Sequence, residues 1–553
     1  MGHIERRIGF LFSVFLVLLV LAGGRAGWLG LVEAKTLKRA AATQQVSDIV
    51  VPARRGSITD RNGVELAVSQ PATTIAATPY LVKDPGRTAR RLARVLRIPE
   101  DDLLRRLVRR DTGFVYLARH VSPQRARRVQ RLGLAGLEFI PEFRRDYPRT
   151  WMAAQLLGSV GAEGHGLSGL EYLLDRNLAG HDGERRLVKD ALGDPIELRD
   201  EVRTRPGHRV RLTLDANIQD QAETVLAEVG QEWQPKGATA VVMDPRSGAL
   251  LALANWPQVN ANKLYEAPTY AMTNRATGAN YEPGSTFKAI TVAGALEDGK
   301  VTPDTEFSLP PTIRVADREI GESHDRGWVN LTTRGILEQS SNVGAIKIGQ
   351  LLGAPRFDHW VRRFGFGKRT GVDLPGEEGG ILLPLDKYSG SSMGNLPIGQ
   401  GLAVTPIQMA AAYSAIANGG ILRSPHIVES VGGRRTPEPK GHRVISEVTA
   451  ASVRRMLEGV LGPGGTASGA HIDGYVLAGK TGTAEKVDEA TGLYSESKYI
   501  ASFVGFAPAD KPRLLVTVMV DEPQGAIYGG EVAAPAFQQI TSFALNYLRI
   551  PPE

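Results

Sequence analysis

Three short patterns occur in one order: Ser285-Thr286-Phe287-Lys288, Ser340-Ser341-Asn342 and Lys480-Thr481-Gly482-Thr483. A serine three residues ahead of a lysine offers a nucleophile and a base. The second pattern adds hydroxyl and amide groups, and the third a cation flanked by hydroxyls. Together they are the parts of an acyl-transfer site. No one pattern suffices, because Ser-x-x-Lys recurs at Ser495-Glu496-Ser497-Lys498 in a polar stretch with no helix signal. Chance supplies roughly one or two such tetrads in a chain of this length.

The flanking elements separate the first copy from the second. Tyr281-Glu282-Pro283-Gly284 reads as a turn, and Ser285 to Asp298 as a helix closed by Gly299, with Ala289, Val292, Ala293 and Leu296 on its buried face. Ser285 then starts a helix, and Lys288 lies one turn later on the same face, within reach of the serine oxygen. The positive helix end and partial burial favour the neutral amine, which can accept a proton. The plainer alternative is a surface Ser and Lys near a helix cap. Ser340-Ser341-Asn342 falls in a break between helical stretches Leu331 to Gln339 and Val343 to Leu352, where helix capping is the competing role. The third pattern follows Tyr475-Val476-Leu477-Ala478, which reads as a buried strand. Period two puts Thr481 and Thr483 on one face, with Gly482 leaving room between them and Lys480 supplying a fixed positive charge. The backbone N–H of Thr483 can join that of Ser285 in stabilising an oxyanion.

Two other patterns mimic known motifs. Gly474 to Thr481 matches the phosphate-loop form Gly-x-x-x-x-Gly-Lys-Thr. That loop needs a strand before it and a helix after it, whereas here the interior residues read as the strand and Gly-Thr-Ala follows. No apolar strand ends in a convincing magnesium-binding Asp. Gly390-Ser391-Ser392-Met393-Gly394 matches a nucleophile elbow but lacks the strand and helix around it, and reads as a surface loop.

The chain has 553 residues, 42% of them hydrophobic, enough for two to four domains. It has no cysteine, which excludes disulfides, cysteine-based zinc sites and a lipid-modified N-terminal cysteine. The ten histidines show no metal-ligand spacing, and no cofactor is expected. Ile8 to Gly24, after Arg6 and Arg7, is one hydrophobic segment that reaches membrane-spanning length if it extends past Arg25 to Val32. A cleaved signal peptide ending at Ala22-Gly23-Gly24 is the rival, and Lys35, Lys38 and Arg39 leave the orientation open. The net charge of +7 and the pairs Arg90-Arg91, Arg105-Arg106, Arg109-Arg110 and Arg127-Arg128 invite a nucleic-acid reading. The pairs alternate with Leu103, Leu104, Leu107 and Val108 at helical spacing, so they read as solvated faces of amphipathic helices, and no nucleic acid is expected. Val210 to Leu214 reads as a strand leading to a helix over Ala216 to Gly230. Ala238 to Met243 and Ala249 to Ala254 form a hairpin, and strands return at Tyr475 to Thr483, Ile500 to Ala507 and Leu514 to Asp521 before a final helix, Ala536 to Leu548. Strands at both ends with helices between predict an α+β domain, one antiparallel sheet covered by helices, with the cleft beside its edge strand.

The three patterns, some 55 and 140 residues apart, resemble the transpeptidase domain of penicillin-binding proteins. Thr370-Gly371-Val372-Asp373-Leu374-Pro375-Gly376-Glu377, Gly399-Gln400-Gly401 with Val404-Thr405-Pro406, and Tyr528-Gly529-Gly530-Glu531-Val532-Ala533-Ala534-Pro535 extend the resemblance, the last most like division-type members. Arg55 to Gly63 and Gly169-Leu170-Glu171 resemble the pedestal module of class B enzymes. The resemblance implies a cytoplasmic head over residues 1–7, an uncleaved anchor over 8–32, an elongated pedestal over 46–206, a linking strand and helix over 207–235 and a transpeptidase domain over 236–550, outside the cytoplasmic membrane. It also implies a peptidoglycan D,D-transpeptidase and penicillin target. Ser285 would attack a D-Ala-D-Ala stem peptide, Lys288 would take its proton, Ser340 would protonate the departing amine and Asn342 would hold the donor amide. Lys480, Thr481 and Thr483, with Gly482 between them, would receive the terminal carboxylate. Implied partners are stem peptides, β-lactams, a SEDS-family glycosyltransferase and other membrane division proteins. An elongation-type enzyme, a non-catalytic β-lactam sensor or scaffold, and a β-lactamase are the alternatives. The last needs a second base, for which no Glu stands out, and commonly carries Asp where this chain has Ser341.

Overall fold

The computed structural model describes residues 2–31, 46–109, 111–189, 195–324, 326–488 and 491–552. Helix α1, Gly2–Leu31, contains a 23-residue segment, Arg7–Leu29, long and apolar enough to cross a membrane. Its Ile8, Phe10, Leu11 and Phe12 are exposed. Val32, Lys35, Lys38 and Arg39 lie outside the described residues.

The chain forms two compact units: Met1–Arg54 with Pro71–Phe143 and Gly180–Pro206, and Arg55–Gln70 with Arg144–Ala179 and Gly207–Glu553. In the first, Val46–Val51, Gly183–Lys189 and Pro195–Val202 make an antiparallel sheet. Its arginine-rich helices, Pro85–Leu96, Glu100–Leu107 and Pro123–Gln130, bury Leu92, Leu103, Leu107 and Val129 against Ile75 and Leu117. Arg90 and Arg105 stay well exposed, so these are amphipathic helices with solvated basic faces.

In the second unit the strand expected over Val210 to Leu214 is shorter, Val210–Leu212. It runs parallel to Ile58–Thr59 and antiparallel to Val428–Val431. The two pedestal-like motifs meet here: fully buried Glu171 takes Arg55 Nε at 2.7 Å and Arg145 Nε at 2.6 Å, while Arg55 Nη1 reaches Asp175 at 2.6 Å. Helix α2, Ala216–Trp233, follows, started by Asp215, whose side chain accepts from Asn217 N–H.

The principal sheet holds β1 (Gly237–Met243), β2 (Leu250–Trp256), β3 (Ala478–Val487), β4 (Tyr494–Ala507) and β5 (Leu514–Asp521), in the order β2-β1-β5-β4-β3, all antiparallel. Every residue of β1 and β5 is buried, so helices cover both faces of the sheet centre. Between β2 and β3 run α3 (Lys288–Glu297), α4 (Thr333–Glu338), α5 (Asn342–Leu352) and α6 (Pro406–Ala417); α7 (Ala534–Tyr547) ends the fold. The edge strands are β2 and β3.

Several local expectations change, among them the helix over Leu331 to Gln339, which starts only at Thr333 because Leu331 and Thr332 belong to the strand Val329–Thr332 and Thr332 caps the helix. Residues 285–298 do not form a single α-helix, because Gly284–Phe287 is a 3-10 turn and α3 begins at Lys288. Tyr475 to Leu477 precede the strand: Tyr475 closes a tight turn onto Ile472 and its hydroxyl donates to Ile550 O at 2.5 Å, which explains its apolar neighbourhood without a strand. Thus β3 starts at Ala478 and continues through the phosphate-loop match with no helix after it. An apolar strand does end in an Asp, but Asp521 of β5 is held by Lys486 at 2.6 Å and by Tyr270 at 3.2 Å. The elbow-like segment carries a short helical turn, Ser392–Asn395, with no strand before it. Ser495 to Lys498 lies in β4, an exposed strand start.

Removing Glu171 takes the shared carboxylate from two buried guanidinium groups, Arg55 keeping its ion pair with Asp175. Glu171→Ala should cost about 3–5 kcal/mol, read as a lowered midpoint of chemical unfolding of the full chain followed by tryptophan fluorescence. An unchanged midpoint would show that the ion cluster carries no stability.

Candidate active site

The site is built from the turn that carries Ser285. Tyr281 pairs both backbone groups with Val404, at 2.9 and 2.8 Å, and Gly284 N–H donates to Gly399 O at 3.0 Å. Gly284 sits at φ +53°, where a Cβ would lie 2.7 Å from Thr483 O, so the turn runs directly against β3. Thr286 O accepts from Tyr413 Oη of α6 at 2.6 Å, and Phe287 is buried against Phe366. Ser285 is left partly exposed on an otherwise fixed turn. Lys288 N–H bonds Ser285 O, and in a 3-10 turn residues i and i+3 lie on one side, so the lysine leaves the turn on the serine's side.

Lys288 is fully buried. Its Nζ donates to Ser340 O at 2.6 Å, Asn342 Oδ1 at 2.6 Å and Ser340 Oγ at 3.3 Å. Burial pulls the amine from 10.5 down to about 7; the Glu322 carboxylate opposes this and Arg326 adds to it. The break between α4 and α5 makes this meeting possible. Ser340 is in the left-handed region at φ +60°, rare for a residue with a side chain, and turns both its carbonyl and its hydroxyl to the lysine. The capping role belongs to Ser341 alone, whose hydroxyl accepts from Gly344 N–H at 2.9 Å to start α5.

On the opposite wall, β3 alternates. Gly482 faces the Ser285 turn so closely that a Cβ would meet Ser502 Oγ at 2.3 Å, Thr286 Cγ2 at 2.9 Å and Pro283 O at 3.0 Å. The space it leaves is filled by that turn. Thr481 shares its hydroxyl with Thr466 at 2.7 Å, and Thr483 Oγ1 accepts from Gly529 N–H at 3.2 Å. Lys480 departs from the fixed cation expected of it: it is fully buried, its Nζ reaches only Thr481 O and Oγ1 among the described residues, and burial with the neighbouring Lys288 charge holds it well below the ordinary lysine value. An anion bound beside it would restore its charge.

One participant carries no sequence signal. Glu322 follows the hairpin of Thr312–Val315 and Arg318–Gly321, and its carboxylate takes Ser341 Oγ at 2.6 Å and Asn342 N–H at 2.6 Å. Burial alone would raise this carboxyl, but the Ser341 hydroxyl, Arg326 and the Asn342 amide together hold it below its ordinary value. No group of three or more His, Cys, Asp or Glu side chains forms a metal site among the described residues.

Comparison with known proteins places this geometry. Residues 238–542 match the penicillin binding protein transpeptidase domain, and residues 50–212 the penicillin-binding protein dimerisation domain. The chain is 35% identical to the peptidoglycan D,D-transpeptidase FtsI of Escherichia coli K12, over 100% of this chain and 93% of that one. It is 33% identical to the probable peptidoglycan D,D-transpeptidase PenA of Neisseria gonorrhoeae, over 99% and 93%. The crystal structure of penicillin binding protein 3 from Mycobacterium tuberculosis complexed with aztreonam superposes with a TM-score of 0.72 at 31% identity, covering 91% of this chain and 98% of that one. A dimerisation module ahead of a transpeptidase domain, along nearly the full length of such relatives, makes this chain a member of the class B penicillin-binding proteins.

Proposed function

We propose that this chain is a peptidoglycan D,D-transpeptidase that cross-links stem peptides through an acyl-enzyme on Ser285, and that β-lactams inhibit it by acylating the same oxygen. The observation that carries this reading is the buried Lys288 amine, three residues after Ser285 on the same turn and held 2.6 Å from both Ser340 O and Asn342 Oδ1. An amine titrating at about 7 is half neutral at physiological pH, where its lone pair can take a proton. Ser285 Oγ attacks the carbonyl carbon of the penultimate D-Ala as Lys288 takes the hydroxyl proton. The N–H groups of Ser285 and Thr483 face the developing oxyanion. The C–N bond breaks, Ser340 passes a proton to the departing D-Ala amine, and the acyl group remains on Ser285. Asn342 holds the donor amide, while Lys480, Thr481 and Thr483 bind the terminal carboxylate. An amine of a neighbouring stem peptide then attacks the ester, forming the cross-link and returning the proton to Ser285.

Helix α1 anchors the chain in the cytoplasmic membrane with the catalytic unit on the outer side. Segment Tyr528 to Pro535, which resembles division-type members, supports a septal role beside a SEDS-family glycosyltransferase that polymerises the glycan strands.

Three outcomes test this reading. Ser285→Ala should abolish covalent labelling by a fluorescent penicillin and cross-linking of stem peptides; a mutant still labelled would move the nucleophile elsewhere. The acylation rate should climb with pH through about 7 as Lys288 loses its proton, and a rate flat from pH 5 to 9 in stopped-flow assays would remove Lys288 as the base. Depletion in the native cell should give filaments with incomplete septa, whereas rounded cells would assign the chain to elongation.

A further inference from the structure

Asn342 can face Lys288 with its amide oxygen only if its nitrogen is held elsewhere. Gly321 O does this, accepting from Asn342 Nδ2 at 2.9 Å. The next residue, Glu322, binds the same turn with both oxygens: Oε1 accepts from Ser341 Oγ and Oε2 from Asn342 N–H, each at 2.6 Å. The orientation of the acceptors around Lys288 is thus set from the hairpin that presents residues 321 and 322. Arg326 stands behind this carboxylate, with Nη2 2.6 Å from Glu322 Oε1. Among the described residues its Nε and Nη2 are buried without hydrogen-bond geometry to an acceptor, and Nη1 reaches Gln339 Oε1 at 3.4 Å. Arg326 thus meets Glu322 as a close ion pair and also brings its positive charge to the wall that faces Lys288. Facing the Lys288 amine are therefore Glu322 and Arg326 from one wall and Lys480 from the other.

We propose that Glu322 and Arg326 are positioning residues of the transpeptidase site, Glu322 clamping the 340–342 turn so that its acceptors meet Lys288, and Arg326 cancelling the charge that this clamp brings. The inference rests on Lys288 acting as the base for Ser285. A bare carboxylate near Lys288 would hold it protonated and poor as a base; a carboxylate neutralised by Arg326 supplies the geometry without that penalty. The two residues therefore act on Lys288 with opposite sign, which separates this role from ordinary structural support.

The test is the pH dependence of the acylation rate of the full chain in detergent by a fluorescent penicillin, for the wild type, Glu322→Gln and Arg326→Gln. Glu322→Gln leaves Arg326 facing the amine, so the acidic limb should move to lower pH by about half a unit or more. Its plateau should fall roughly tenfold to a hundredfold, because the turn loses one of its two clamping oxygens. Arg326→Gln leaves the carboxylate unbalanced, so its limb should move to higher pH with a plateau within about threefold of wild type. Limbs that stay in place, or that move in the same direction, overturn the proposal. If circular dichroism shows Glu322→Gln unfolded, the Arg326→Gln limb decides alone, upward for the proposal and unmoved or downward against it. A wild type that is acylated at Ser285 while either decisive limb fails sinks only the pair; a wild type not acylated at Ser285 sinks the assignment of the nucleophile and the pair with it.

Discussion

A lysine amine sealed from water must surrender much of its affinity for protons, and this constraint organises the catalytic unit. Lowering Lys288 from 10.5 to about 7 costs about 5 kcal/mol of folding free energy at neutral pH, since the unfolded chain would hold the proton that the folded one sheds. Stability therefore rises with pH between those two values, where the unfolded state binds more protons. A cost of that size is comparable to the net stability of a whole domain. It is offset by a helix buried nearly all around, Lys288 to Ala295, in the centre of the unit.

The surroundings are arranged to keep that amine usable. Its acceptors, a carbonyl, a hydroxyl and an amide oxygen, are all neutral, so they orient the nitrogen without fixing its charge. The Ser285 turn is pinned from three directions: by Val404 and Gly399, by Tyr413 and by the close approach of β3 at Gly482. Each of these residues is far from Ser285 in sequence, and each bonds or abuts backbone. The serine side chain is left clear while its main chain is fixed, as preorganisation requires.

Much of this was legible in the sequence, because three motifs carry their own chemistry and the elements around them have clean periodicity. The β1–β2 hairpin, the returning strands and the break before Asn342 follow from alternation and from Ser and Asn at a helix start. Other features were not legible, for identifiable reasons. Apolar Tyr475 to Leu477 mimic a strand, but Tyr475 serves the C-terminal segment instead. Lys480 reads as a fixed charge in sequence, and only its complete burial shows otherwise. Glu322 and Arg326 lie in a polar stretch whose proximity to the motif depends on a hairpin return that no local pattern announces. The division of the chain is interleaved as well: Arg55–Gln70 and Arg144–Ala179 cluster with Gly207–Glu553, tied to it where Ile58–Thr59 pairs with Val210–Arg211 and where Ala153 N–H donates to Glu223.

Ser340 sits in a backbone conformation that costs a residue with a side chain about 1–3 kcal/mol. Glycine would adopt it freely, but it brings no hydroxyl. Selection for robustness alone would therefore push this codon toward glycine, and under the proton-transfer role proposed for that hydroxyl selection for turnover would pull it back. A lineage that lost the need for its cell wall should erode here early, gaining a firmer fold as it forfeits the enzyme.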